Sequence, residues 1–590
     1  MSSPATCRHA DLDAQRQVIA RFEAALWEGG FNDRLLASYQ AAWRRLETLI
    51  AAQPGPDRRH GFVLVIPVAD SPRHLRNCLA SLLELCHAYG YGGQDARGRW
   101  RKLSVLLADD SADAANLAEN RIIVREFRER GLCIHDFGAA EQMALLDQLS
   151  DLDLTPIVGK HDRPGFCHKG QAMTRNIAYL KLAQMQEEAA EALGGPLLFY
   201  TLDADQTFQI KVPTAAGDVN MAAVSFLHKL DDAFCDPHVQ VLTGKVVGDP
   251  PVSPAVMAAN FLEDVAGFLA EMAHTRPERP YPRHIASSRG SGEAAYHDMA
   301  DLFGFKAGGD NYRFRCTLAG EPDNAACLAD FAGRLNRFFH GEHPTRVTYY
   351  RHEPPGADGR IAVVPARTVY TGNYVFRPDA LSAFIPYAPL RLRMSGPSMG
   401  RLLKAELGSG FASANLPMLH RRTLEHSGQS EFRPGVVERN RLVDLADEFE
   451  RQFHGDVMLF SLERLTAMGY PAATLSATAV GTVLDEVRAD MDQRYRSKQA
   501  DVLVRLSFLE DLLDDPAQWW NQDNQHAAAV AHFHSFAANV RRNFGAVNPA
   551  WLDSQERRAA WRERQIEAIL GLPGHRSIWM EALARLAGRQ

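Results

Sequence analysis

The chain has 590 residues, 46% of them apolar and 23% charged, and its 65 Lys and Arg against 72 Asp and Glu give a formal charge of -7. That length exceeds what one hydrophobic core usually organises, so two or three domains are expected in a globular rather than disordered chain. The acidic balance argues against a generic polyanion binder, no nucleic-acid partner is expected, and no run approaches the ~18 apolar residues of a membrane span. The start, MSSPATCRHADLDAQRQ, lacks the basic-then-apolar order of a secretory signal. The eight cysteines (7, 78, 86, 133, 167, 235, 316 and 327) form no CxxC pair, which suits incidental thiols in a reducing, cytoplasmic setting.

Residues 11 to 52 place Ile19, Phe22, Ala25 and Leu26, then Leu35, Leu36, Tyr39, Trp43, Leu46 and Ile50, at helical spacing. This predicts two helices within an N-terminal extension over 1–55. After AAQPGPDRRHG, strand and helix signals alternate: FVLVIPVA (62–69), a helix through RHLRNCLASLLELCHAY, KLSVLLA (102–108), a helix near 113–130, and CIHDF (133–137). Each short apolar run ends in polar or acidic residues, as strands do when their carboxyl ends feed ligand loops in an open α/β sheet.

A glycine break at 165–170 opens GQAMTRNIAYLKLAQMQEEAAEAL, a helix with Ile177, Leu180, Leu182 and Met185 on one broad face. GGP at 194–196 then leads into the strand-length run PLLFYTL and the acids Asp203 and Asp205, and HVQVLTGKVV reads as a further strand. From about 250 to 360 the chain reads as a long insertion, in which SSRGSGEAAYHDMADLFGFKAGGDN predicts mobile loops around a short helix. The main α/β domain is placed at 56–430. Residues 431–590 read as a helical packing domain, with apolar stripes and paired charges, through which copies of the chain can associate. The arginines at 541, 542, 557, 558, 562 and 564 read as solvated helix surface, with a basic face for a partner as the alternative.

Two carboxylates one residue apart are not by themselves a site. With 72 acids in 590 residues roughly nine such pairs arise by chance, and Asp11/Asp13 and Asp151/Asp153 share the spacing. What singles out Asp203 and Asp205 is their place at the end of an apolar strand, where residues two apart point to one face and both can approach one cation.

Four segments in this order resemble the GT-A class of nucleotide-sugar glycosyltransferases, particularly its family-2-like group: LVIPVADSPRHLRNCLASLL, VLLADDSAD, HKGQAMTRNIAY and LDADQTF. The resemblance implies a Rossmann-like, doubly wound, mostly parallel sheet and a nucleoside-diphosphate sugar as donor. On it, the backbone at Pro67 and Val68 meets the nucleobase, and Asp109 or Asp110 holds the base or ribose. Lys169, Gly170, Arg175 and Asn176 lie near the sugar-phosphate, with Lys169 and Arg175 adding positive charge to the departing phosphate. Asp205 is the first ligand of Mn2+ or Mg2+, and Asp203 binds the ribose or a metal-bound water. Retaining enzymes of the mannosylglycerate-synthase and glucosyl-3-phosphoglycerate-synthase type use a downstream histidine as a further ligand, and His420 in ASANLPMLHRRT stands in a similar setting. An Asp and His donor set suits Mn2+ better than Mg2+.

TGNYVFRPDALSAFIP resembles the acceptor-side segment, and the stretch after it, RLRMSGPSMGRLLKAELG, departs from the inverting pattern. Inverting relatives place an acidic pair there, one member acting as the base. Here Glu406 is the only acid between Asp379 and Glu425. Either Glu406 or Asp379 is the base of an inverting enzyme, or configuration is retained and the leaving phosphate helps to deprotonate the acceptor, with a slight lean to retention. Arg391, Arg393, Arg401 and Lys404 read either as a site for an anionic acceptor group or as helix-surface charge. The implied activity is hexosyl transfer to a soluble acceptor. The alternatives are a nucleotidyltransferase, disfavoured because VADSPRHLRN lacks a glycine-rich phosphate loop, and a non-catalytic α/β scaffold with a partner-binding helical domain.

Overall fold

The structure is a computed structural model that describes residues 4–28, 31–160, 166–214, 217–282, 314–356, 360–369, 372–439, 441–545 and 554–588. The glycine- and serine-rich stretch expected to form mobile loops around a short helix lies outside the described residues. Eleven strands concern the sheet and its edge: β1 (Gly61–Val68), β2 (Leu103–Asp109), β3 (Ile134–Phe137), β4 (Leu197–Leu202), β5 (Gln206–Thr207), β6 (Ile210–Thr214), β7 (Gly217–Met221), β8 (Val241–Gly248), β9 (Val363–Pro365), β10 (Asn373–Phe376) and β11 (Phe411–His420). Nine of them form one sheet in the order β3-β2-β1-β4-β10-β8-β11-β5, with β9 beside β11, while β6 and β7 make a separate hairpin.

Strands β1 to β4 are parallel to one another, as are β8 and β11. Because β10 runs antiparallel to both β4 and β8, those two groups share a direction. The sheet is therefore mostly parallel, as the alternating strand and helix signals imply.

Strand β1 shows why the sheet is covered on both faces. Phe62, Leu64 and Ile66 pack in one core with Leu75, Leu79 and Leu82 of the helix Pro72–Tyr89. The alternate residues Val63 and Val65 pack in a second core with Ile177, Leu180 and Ala183 of the helix Gln171–Leu193. All five of those β1 residues are fully buried, and each is worth about 1.5–3 kcal/mol of apolar transfer. Pro72 sits in the first turn of its helix and Gly90 closes it in the left-handed conformation.

The N-terminal helices Pro4–Glu28 and Asp33–Ala51 add Ile19, Leu26, Tyr39 and Leu46 to the first core. C-terminal helices extend the second: Phe453 and Val457 of Ala446–Ala467, and Ile569 and Trp579 of Gln555–Leu586, are buried in it. A third core joins Phe261 of Pro254–Ala273, Phe331 of Asn324–Arg334, Leu506 of Ala477–Asp514 and Phe536 of Ala527–Phe544. The described helices of the 250–360 stretch thus pack directly on the C-terminal helices. Among the described residues, no helix is long and apolar enough to cross a membrane.

Strands β2 and β3 lie to one side of β1 and β4 lies to the other. At such a reversal the connecting loops part, and a crevice opens beyond the carboxyl ends of the two central strands.

Candidate functional site

A cavity of about 550 Å³ opens there. Its walls bring together Pro67 and Val68 at the end of β1, Asp110 past β2, Lys169 and Gly170 before the helix Gln171–Leu193, Asp203 and Asp205 past β4, and His420 at the end of β11.

Two short backbone ladders make the meeting of Asp205 and His420 possible. β11 pairs in parallel with β8, and β5 then pairs antiparallel with the tip of β11, setting Gln206 opposite His420. The Arg421 N–H donates to the Asp205 carbonyl at 3.0 Å. Residues 215 apart in sequence are thereby clamped with His420 Nε2 3.2 Å from Asp205 Oδ2. Nδ1 of His420 lies 2.8 Å from the Asp249 carbonyl, which can only accept, so the Nδ1 proton is donated there. Nε2 is left to face the carboxylate, the second-sphere arrangement that orients metal-binding imidazoles.

The other Asp205 oxygen, Oδ1, is buried without a hydrogen-bond partner among the described residues. Burial would push the Asp205 carboxyl up, but the charge and hydrogen bond of His420, with Arg422 behind them, hold it well below the usual carboxylate range. An ionised oxygen orphaned beside an imidazole nitrogen fits a divalent cation. Among the described residues no set of three or more His, Cys, Asp and Glu forms a metal cage.

Asp203 is engaged differently. One oxygen is paired with Arg175, whose Nε also donates to Thr201 Oγ1 at 3.1 Å. The other oxygen lies where a Cβ on Gly372 would come within 2.4 Å, so a side chain there would have to displace Asp203 or Gln206. Asp110 organises the loop facing it, accepting from Lys169 Nζ at 2.5 Å, the Gly170 N–H at 3.2 Å and Thr174 Oγ1 at 3.1 Å. Gly170 takes φ 101°, a conformation that favours glycine, and this turns its N–H onto that carboxylate. Asp109 points into the protein, accepting from the Ser111 N–H and Asn120 Nδ2 at 2.9 Å each, and is not part of the cavity wall.

Asn176 also lies behind the wall. Its amide donates to the Ile157 and Ile385 carbonyls at 3.0 Å each and accepts the Ile385 N–H at 2.9 Å. Asn176→Ala would leave three backbone groups unpaired in a dry site. It is expected to cost about 3 kcal/mol in urea melts while nucleotide affinity of the folded protein stays within about twofold.

Neither proposed base lies in the cavity wall. Glu406 is bound by Arg576 at 2.6 and 3.1 Å, and Asp379 is exposed in the short 3-10 turn Pro378–Ser382. Of the basic group nearby, Arg391 and Arg393 line the cavity, whereas Arg401 donates to the Arg367 carbonyl at 2.7 Å and Lys404 is exposed elsewhere. The C-terminal arginines are largely paired: Arg541 with Glu510, Arg542 with Asp444, Arg557 with Glu450, Arg558 with Asp492 and Arg562 with Asp485. Arg564 instead lies over Trp561, 4.3 Å from its ring centre, and both line the cavity.

No family model and no curated protein matches the sequence. Among solved structures the chain is similar to the mannosyltransferase PcManGT from Pyrobaculum calidifontis in complex with GDP-Man and Mn2+, with 10% identity, 89% of this chain and 99% of that chain covered, and a TM-score of 0.30. It is also similar to S. aureus TarS (13% identity, 82% of this chain and 55% of that chain, TM-score 0.25) and to the apo form of mouse xyloside xylosyltransferase 1 (12%, 59% and 76%, TM-score 0.20).

Several wall residues escaped the sequence reading. Glu431 accepts the first N–H groups of the helix Pro72–Tyr89, from Arg73 at 3.2 Å and His74 at 3.0 Å, doing from across the fold what Ser71 does not do locally. Beside it Phe432 stacks on His168, rings 4.0 Å apart and 16° from coplanar. Arg422 and Arg433 belong to the same region, and Arg451 and Gln452 come from the helix Ala446–Ala467. The one local signal was the Arg-Arg after His420; the others depend on long-range packing.

Proposed function

We propose that the protein is a metal-dependent glycosyltransferase that moves a hexose from a nucleoside-diphosphate sugar to a soluble acceptor. The carrying observation is the Asp205 and His420 pair, an ionised carboxylate with an orphaned oxygen meeting an imidazole nitrogen in a cavity of nucleotide-sugar size at the strand-order reversal. A divalent cation held by these two side chains, Mn2+ in preference to Mg2+, supplies the charge neutralisation that makes a nucleoside diphosphate leave.

The chain's own groups divide the other tasks. Pro67 and Val68 offer the end of β1 as a wall for the base. Asp110, fixed by Lys169, Gly170 and Thr174, takes the ribose, with Asp203 as its counterpart across the cleft. Gly170, Gln171 and Ala172 line the cavity, and the unbonded first-turn N–H groups of that helix, with its dipole, favour the diphosphate. Arg175 fixes Asp203 from behind, and Lys169 keeps positive charge close to the departing phosphate.

Retention is the favoured course. Among the described residues the cavity's acids are Asp110, Asp203, Asp205, Glu431 and Asp447. Lys169, Arg175 and His420 engage the first three and Glu431 caps a helix, which leaves Asp447, an exposed side chain 3.7 Å from Arg451. With no free carboxylate turned inward, the leaving phosphate oxygen is the base at hand. The acceptor oxygen bonds to the anomeric carbon on the face that phosphate vacates, the carbon–phosphate oxygen bond breaks, and the hydroxyl proton passes to the phosphate.

Calorimetric titration with UDP and with GDP tests the donor site. One of them is expected to bind in the micromolar range with Mn2+ and at least about tenfold more weakly in chelator. Absence of binding by both nucleotides in both conditions removes the proposal.

A further inference from the structure

The same cavity carries more positive charge than a donor diphosphate beside a cation needs. Arg393, Arg422, Arg433 and Arg451 all line it. Among these four the fully buried counter-ion is Glu448, which accepts from Arg433 Nη2 at 3.0 Å and lies 3.7 Å from Arg393 Nε. Asp447 near Arg451 is 64% exposed and therefore a weak partner, and Glu342 is taken by Arg334, Arg337 and Thr423. Asp249 spends its carboxylate on the Arg422 backbone N–H at 2.8 Å.

The charge is also incompletely bonded. The Arg433 side chain is 9% exposed, yet among the described residues its Nε and Nη1 have no partner, and neither does Arg422 Nε. Burial, opposed by Glu448 and reinforced by Arg422 and Arg393, pushes the Arg433 guanidinium down to about 9. The Arg451 guanidinium is lowered too, first by burial and then by Arg393. Like charges gathered out of water with unmade hydrogen bonds are unfavourable unless an anion completes them.

The backbone holds the cluster in place. Arg391 and Met394, on either side of Arg393, have φ of 52° and 66°, a costly conformation for such side chains. The Arg393 N–H donates to the Arg451 carbonyl at 3.2 Å, and Arg451 Nε returns a bond to the Arg391 carbonyl at 2.7 Å. A β-carbon on Gly455 would come within 2.3 Å of the Arg393 carbonyl oxygen, so helix and turn are in backbone contact.

We infer that Arg393, Arg422, Arg433 and Arg451 form a binding site for a phosphate monoester, carried by the acceptor and lying in the same cavity as the donor site. Its role as an acceptor site rests on the transferase function proposed above, while the anion site itself does not. Four guanidiniums, with Glu448 as the one buried carboxylate bonded to them and Asp205 and Asp249 acting on Arg422 through charge, match a dianion with three terminal oxygens better than a single carboxylate. The C-terminal helix Ala446–Ala467 thereby becomes part of the substrate site.

Inorganic phosphate is the probe, titrated calorimetrically at constant ionic strength with chloride as the balancing anion. Native protein is expected to bind it, and Arg393→Gln and Arg451→Gln, both at partly exposed positions, each to weaken it about tenfold or more. The better-binding nucleoside diphosphate with Mn2+ is expected to keep its affinity within about twofold in saturating phosphate. Phosphate binding by properly folded native protein that is undetectable, or unchanged in both variants, overturns the site. Mutual exclusion of phosphate and nucleotide also overturns it, by giving the arginines to the donor. Phosphate binding that the variants weaken, in a protein that binds neither nucleotide, upholds the anion site and removes the transferase function.

Discussion

Asp205→Asn protein is expected to bind Mn2+ about a hundredfold more weakly than the native chain and to turn over its best nucleotide sugar about a thousandfold more slowly. The substitution keeps the shape of the side chain and the ladder that positions it, since β5 and β11 pair through backbone groups and the Arg421 N–H uses the Asp205 carbonyl. What it removes is the charge on a carboxylate whose Oδ1 is buried without a partner. Were Asp205 and His420 an ion pair and nothing more, the loss would appear as lowered stability with catalysis largely intact. As a cation site, the loss appears in Mn2+ titrations followed by electron paramagnetic resonance and in nucleotide release, with little change in the urea midpoint. His420→Ala is expected to reproduce the defect, and the double variant to add little, if the two side chains serve one ion as proposed. Native Mn2+ affinity in Asp205→Asn protein, or turnover untouched by chelator, would show that no catalytic cation sits at this pair.

The parts of the fold that the sequence discloses are those whose cause is local. β1, β2, β4 and β8 are apolar runs buried along their whole length, and their carboxyl ends had to face a common edge once parallel connections were accepted. β11 gives no regular strand alternation in ASANLPMLH, because its register shifts between Ser413 and Pro417. Glu406 drew notice because acids are scarce around it. Its direction, however, is set by the phase of its helix and by Arg576, 170 residues further on. The same holds for the C-terminal arginines, whose acidic partners Glu510 and Asp444 lie on other segments 31 and 98 residues away. Conversely Arg433 and Arg451, which line the cavity, sit in a segment whose pattern signalled only helix packing. Residue type told what chemistry was available, and long-range packing decided which side chains share a cavity.

The attachment of the N-terminal helices gives the second large expected effect. Glu47, on the helix Asp33–Ala51, accepts from Arg59 Nη1 and Nη2 at 2.5 and 2.9 Å, from the Gly92 N–H at 3.0 Å, and from His228 Nε2 at 2.7 Å. Burial would raise its carboxyl, but the Arg59 and His228 hydrogen bonds and charges prevail and hold it at about 2, against 4.5 for a free side chain. A folded value below the unfolded one means the group stabilises the protein fully above pH 4.5 and loses that contribution as pH falls toward 2. The shift corresponds to about 3 kcal/mol for a side chain only 10% exposed. Glu47→Gln should therefore lower stability at pH 7 by about 3 kcal/mol, since Arg59 would keep only its Asp57 partner and the charge-assisted bonds to Gly92 and His228 would be lost. Urea melts as a function of pH make the cause visible: the gap between native and variant should close between pH 4.5 and 2, where the native carboxyl itself becomes neutral. A variant equal to the native protein at pH 7, or a gap that persists unchanged in acid, would mean that apolar contacts such as Tyr39 and Leu46 dock these helices without the ion network.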